Sequence, residues 1–181
     1  MSRVNLTRAT SVNPNQARDA AGFTLIELVV VIIVVSLLAA TAVDRLFYYQ
    51  ERAEKAVMEA TLAAFKMGLQ IRLAELSMTN RGNHAAELEQ QNPVRWLNEP
   101  PSNYAGDYHA PAERGSWTFA TDSHELIYVP QNTNYLSWEQ ADQRELRFQV
   151  RLRYEEIEHA GGKLKAPAGV VLISARPYSW F

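Results

Sequence analysis

Residues 22–43 read GFTLIELVVVIIVVSLLAATAV, and the charge pattern of this stretch organises the rest of the chain. From Phe23 to Val43 the only ionisable side chain is Glu27. As a helix rising about 1.5 Å per residue, the stretch is long enough to cross a hydrocarbon layer of roughly 30 Å. Arg3, Arg8 and Arg18 precede it and no basic residue lies inside it, which places the N-terminus on the cytoplasmic side by the positive-inside rule. The bulk of the chain is then expected outside. Glu27 is the anomaly: a carboxylate in such a helix costs on the order of 2.5–3.5 kcal/mol at the bilayer centre, less near the interface, and calls for a partner. A plain apolar anchor has no use for it.

Two simpler readings compete. An ordinary secretory signal peptide has a shorter apolar core and an Ala-x-Ala cleavage site, a form that Ala40-Thr41-Ala42 shares. A simple signal anchor could instead tether a periplasmic binding protein or enzyme. Against both stands the run Gly22-Phe23-Thr24-Leu25-Ile26-Glu27, which resembles the processing signal of the type IV pilin and type II secretion pseudopilin family. The resemblance implies that a prepilin peptidase cuts after Gly22 on the cytoplasmic face and methylates the new amino terminus at Phe23, while the apolar helix is retained. It also implies that Glu27 pairs with the Phe23 amine of a neighbouring subunit. The partners it implies are the prepilin peptidase, other pilin or pseudopilin subunits and the inner-membrane assembly platform. A buried carboxylate is tolerable when paired with a buried ammonium.

Helical periodicity continues past the span. Met58, Leu62, Phe65, Leu69, Leu73 and Leu76 fall on one face at a period of 3.6, with Glu59, Lys66, Arg72 and Glu75 opposite. No proline occurs between Phe23 and Asn92, and Gly68 is a single cost of about 1 kcal/mol. One helix from about Thr24 to Ser77 follows, with a glycine stop in Thr79-Asn80-Arg81-Gly82-Asn83. Residues 84–116 are rich in Pro, Asn and Gly and predict a connecting region. Beyond it the period becomes 2. Trp117–Ala120 and Leu126–Val129 predict two strands across Asp122-Ser123-His124. Leu146, Phe148, Val150, Leu152 and Tyr154 alternate with Arg147, Gln149, Arg151 and Arg153, a strand with one buried and one wet face. Gly161-Gly162 marks a turn, and Val170–Ile173 a fourth strand. The expected fold is α+β: a long helix, membrane-spanning in its first half and amphipathic in its second, packed on a small antiparallel sheet. The expected layout is a leader at 1–22, a transmembrane helix at 23–43, a stem helix at 44–80 and a β head at 81–181. Residues 117–131, WTFATDSHELIYVPQ, also resemble the strand-turn-strand segment of pseudopilin-like heads.

The chain departs from the family's major subunits. It has no cysteine, so no C-terminal disulfide, and Asp44 stands where many type IVa pilins carry a proline. Residues 160–181 contain no Asp or Glu for an acidic calcium loop. Each departure favours a minor pilin or minor pseudopilin. His84, His109, His124 and His159 show no metal-type spacing, and no phosphate loop, nucleophile elbow or HExxH helix occurs. No catalytic residue, metal ligand or cofactor is therefore expected. Arg147, Arg151 and Arg153 could contact phosphate, but Glu145 and Glu155 bracket them, and the net charge is −2; a solvated strand face is expected there, and nucleic acid is not among the expected partners. Trp96, Trp117, Trp138 and Trp180 are expected in core or rim packing; the alternative for the C-terminal Tyr178-Ser179-Trp180-Phe181 is an exposed apolar contact for another subunit.

Overall fold

The computed structural model describes residues 22–140, 142–159 and 162–181. A single helix, α1, spans Leu25–Met78, and the chain divides at Val43–Asp44 into two units.

In the first unit, α1 begins on a cap. The Thr24 carbonyl accepts from Leu28 N at 3.2 Å, and its hydroxyl accepts from Glu27 N at 3.3 Å, satisfying two of the amides that a helix start leaves without partners. The apolar side chains from here to Val43 are exposed.

In the second unit, the expected stripe is the core side of α1. Met58, Phe65, Leu69, Leu73 and Leu76 are buried, and Leu62 packs beside them. Each such burial contributes about 1.5–3 kcal/mol relative to exposure. Met58 and Phe65 meet Trp117, Leu126, Tyr128, Leu146 and Phe148; Leu69, Leu73 and Leu76 meet Ala85, Leu88, Val150 and Val170. The helix stop differs from expectation. Asn80, not a glycine, takes the left-handed conformation (φ 56°), with Arg81 N bonding Leu76 O and Asn80 N bonding Ser77 O. Asparagine tolerates that conformation well enough to close a Schellman motif.

The sheet is mixed. Strands β1 (Tyr104–Asp107), β2 (Trp117–Ala120), β3 (Glu125–Tyr128), β5 (Leu146–His159) and β6 (Gly162–Ser174) lie in the order β1-β2-β3-β5-β6. All neighbours are antiparallel except β1 with β2, which are parallel. A separate antiparallel pair joins β4 (Leu136–Trp138) to β7 (Tyr178–Trp180). The region expected to be only connecting therefore holds β1 and two 3-10 helices, Gly82–Glu89 and Pro93–Trp96. β1, β4 and β7 have four, three and three residues, too short for alternation to declare itself. β5 and β6 run past the other strands, since β3 covers β5 only as far as Gln149. The Gly82–Glu89 helix covers the next stretch of that edge, where Glu89 Oε1 accepts from Leu152 N at 2.7 Å; covering an edge in this way blocks unwanted strand pairing.

The wet arginine face expected on β5 needs one correction. Arg147 is mostly buried, with Nη1 2.9 Å from Glu125 Oε2 and Nη2 2.9 Å from Glu145 Oε2. Gln149 and Ser123 also donate to Glu125, and Tyr108 donates to Glu145 at 2.7 Å. Arg151 and Arg153 are exposed as expected. Trp117 and Trp180 are buried, and Trp96 and Trp138 half-buried.

Candidate functional site

Of the expected site residues, Gly22, Phe23 and Glu27 fall among the described residues, whereas the rest of the leader, residues 1–21, lies outside them. Gly22 and Phe23 precede the helix and are exposed, Phe23 at 78%. Glu27 stands in the first helical turn, where a carboxylate is favoured by the helix dipole. Thr24-Leu25-Ile26-Glu27 has the spacing of a capping box, in which a threonine cap and a glutamate three residues later sit at the helix start; the threonine half of it is formed, 3.3 Å from Glu27 N. Glu27 itself has no ion-pair partner among the described residues. The motif thus presents, at one end of an apolar helix that is long enough to cross a membrane by length and composition, a carboxylate that no cation among the described residues neutralises.

The second unit holds two acidic residues whose role periodicity does not announce. Glu51 is fully buried. Its Oε1 accepts from Tyr135 N at 2.9 Å and from Trp180 Nε1 at 2.9 Å, and its Oε2 from Asn134 N at 3.0 Å. One turn on, Glu54 accepts from Tyr128 Oη at 2.9 Å, Gln131 N at 2.6 Å, and both Asn132 N and Nδ2 at 3.1 and 3.2 Å. Burial, together with the charge and hydrogen bond of Glu54, raises the Tyr128 hydroxyl well above the ordinary tyrosine range. The pair binds the loop after β3 and the strand β7 to α1. One signal was available: seven residues before Met58, the buried stripe extends onto position 51, so the helix register places an ionisable residue on its core side.

The polar group around Arg147 is also structural. Desolvation would raise the Glu125 carboxyl, but the hydrogen bonds from Arg147, Ser123 and Gln149 and the charge of Arg147 outweigh it and hold the carboxyl below its ordinary value. Two carboxylates offset one guanidinium, and the phenol of Tyr108 completes the set. The arrangement ties β3, β5 and the segment after β1 together. Among the described residues no group of three or more His, Asp and Glu is placed to hold a metal ion. His109 and His124 are exposed, and His84 bonds Glu87 at 2.7 Å.

Residues 17–43 match the family model of the prokaryotic N-terminal methylation motif. No curated protein and no solved structure matches the chain. The matched stretch takes in Gly22, Phe23, Glu27 and the whole apolar span, and suits anchoring in the inner membrane. Over residues 17–43, by this motif and the helix that carries it, the chain is similar to the N-terminal segment of type IV pilin-like proteins, the kind processed by prepilin peptidase.

Proposed function

We propose that this protein is a structural subunit of a type IV pilus or of a type II secretion pseudopilus, most in keeping with a minor subunit. Prepilin peptidase cuts after Gly22 on the cytoplasmic face and methylates the amine of Phe23. The helix from Phe23 to Val43 then stays in the inner membrane, with residues 44–181 on the periplasmic side. Other pilin or pseudopilin subunits and an inner-membrane assembly platform draw it into a filament. Glu27 carries this reading: inside the matched motif, it is an ionisable group on an exposed apolar helix without an ion-pair partner among the described residues. The methylated amine of Phe23 on a neighbouring subunit supplies the missing cation, and pairing makes burial of both charges tolerable.

The test is Glu27→Ala with Glu27→Gln beside it. Removing the carboxylate from an apolar helix leaves insertion unchanged or improved. It leaves a buried ammonium alone at each junction, a loss of about 3–5 kcal/mol when one member of a buried pair is removed. Both variants should therefore accumulate in the membrane at wild-type level and be missing from sheared filaments. Normal incorporation along the filament shaft would refute the pairing.

A further inference from the structure

Beside the motif, α1 carries an unusual surface where it enters the second unit. Tyr48 is the hub of a ring cluster, with centroids 5.5 Å from Tyr49, 5.3 Å from Tyr135 and 5.4 Å from Phe181. Tyr135 and Phe181 stack at 5.3 Å. The outer members are not core: Tyr49, Tyr135 and Phe181 are 60%, 42% and 46% exposed, and Phe47, the residue before Tyr48, is 49% exposed. The Arg52 guanidinium lies 5.6 Å from the Tyr48 ring centre and 5.9 Å from that of Phe181. Two acidic residues of the following turns are engaged elsewhere: Glu51 is buried, and all four hydrogen bonds to Glu54 come from Tyr128 and residues 131–132.

We propose that this surface, built by Phe47, Tyr49, Tyr135 and Phe181 with Arg45 and Arg52, rests among the phospholipid headgroups of the membrane that holds the chain before assembly. The inference builds on the reading of Phe23–Val43 as a membrane span. Chain connectivity supplies the argument. Arg45 follows Val43 by two residues and Tyr49 by six, so at about 1.5 Å per helical residue they lie roughly 3–9 Å past the apolar stretch. The polar layers flanking a hydrocarbon core are of that depth, about 5–8 Å on each side. Rings with one apolar face and one polar tip are favoured there, and arginine keeps its stem on apolar surface while its head reaches phosphate. Tyr135 and Phe181 belong to distant parts of the sequence, yet their rings touch Tyr48, so the tertiary fold gathers them beside the helix residues that follow the span.

Because the chain has no cysteine, a single introduced thiol takes a nitroxide label uniquely. Full-length protein carrying Ile33→Cys, Ser123→Cys, Tyr135→Cys or Phe181→Cys would be reconstituted in phosphatidylcholine–phosphatidylglycerol vesicles. Collision of each label with oxygen and with a water-soluble nickel chelate would then be compared. Labels at 135 and 181 should be several-fold less accessible to the chelate than the label at 123, at the level of the lipid phosphates and independently of the protein-to-lipid ratio. Labels at 135 and 181 as open to the chelate as that at 123, with 33 in hydrocarbon, would overturn the proposal. So would protection that appears only at high protein-to-lipid ratio, which would assign the surface to a second copy of the chain. A chelate-accessible label at 33 would refute the span, and the proposal with it.

Discussion

Glu51→Ala is the substitution whose cost the structure sets most clearly. The carboxylate is wholly buried and accepts three hydrogen bonds, from Asn134 N, Tyr135 N and Trp180 Nε1, at 2.9 to 3.0 Å. Hydrogen bonds to a charged group contribute about 1.5–3 kcal/mol each, and leaving a buried donor without a partner costs about 1–3 kcal/mol. The three share one acceptor group and do not add in full, and the loop can open to water, so a total of about 3–5 kcal/mol is expected. For a unit of this size that corresponds to a fall in Tm of roughly 12–20 °C. Glu51→Gln separates the contributions. An amide oxygen in place of Oε1 keeps the bonds to Tyr135 and Trp180 but turns an N–H donor toward Asn134 N, so one bond is lost and the cost is about 1.5–3 kcal/mol. The assay is thermal unfolding of the full-length protein in detergent, followed by near-ultraviolet circular dichroism, to which Trp180 contributes. A Glu51→Ala protein that melts within about 4 °C of wild type, or a Gln variant no more stable than the Ala variant, would refute this account of how β7 and its neighbouring loop are held to α1.

Two further outcomes are expected on the same assay. At Gly68, buried on α1, an added Cβ would lie 2.5 Å from the carbonyl oxygen of Trp96; backbone must move, so Gly68→Ala should destabilise by about 1–2 kcal/mol despite a helix-propensity gain of about 1 kcal/mol, and a stabilised variant would contradict the close approach. The Glu125 carboxyl, held below its ordinary value of 4.5, stabilises the fold fully above that pH and less as the pH falls through its folded value. The Tm difference between wild type and Arg147→Met should therefore be largest near neutrality and shrink below about pH 4.5, whereas a constant difference down to strongly acidic pH would mean that the ion pair contributes nothing.

Much of the second unit was legible because its helix and its long strand obey simple periods. The stripe from Met58 to Leu76 and the alternation from Leu146 to Leu152 each name a buried face, and those faces meet in the structure; Tyr154, expected on the same face, is exposed, beyond the register shift that follows Arg153. Where the sequence misled, a polar group was placed by tertiary context. Arg147 shares the outward register of Arg151 and Arg153, yet Glu125 from the neighbouring strand draws it into a network. Glu51 sits on the apolar stripe, but a count of apolar residues passes over it. The parallel β1 contains Gly106 at φ 87°, a residue that argues against a strand when only propensity is consulted. The motif at the N-terminus needed no such context: Gly22 to Glu27 is contiguous in sequence, and Thr24 caps the helix through neighbours three and four residues away.

The central claim is that the chain is processed at Gly22–Phe23 and keeps its apolar helix. Mass spectrometry of the protein extracted from membranes tests it directly. The account predicts a mature N-terminus at Phe23 bearing one methyl group on its amine, and the same terminus in the Glu27 variants that fail to assemble. An intact Met1, or a terminus created by cleavage after Ala42, would contradict it.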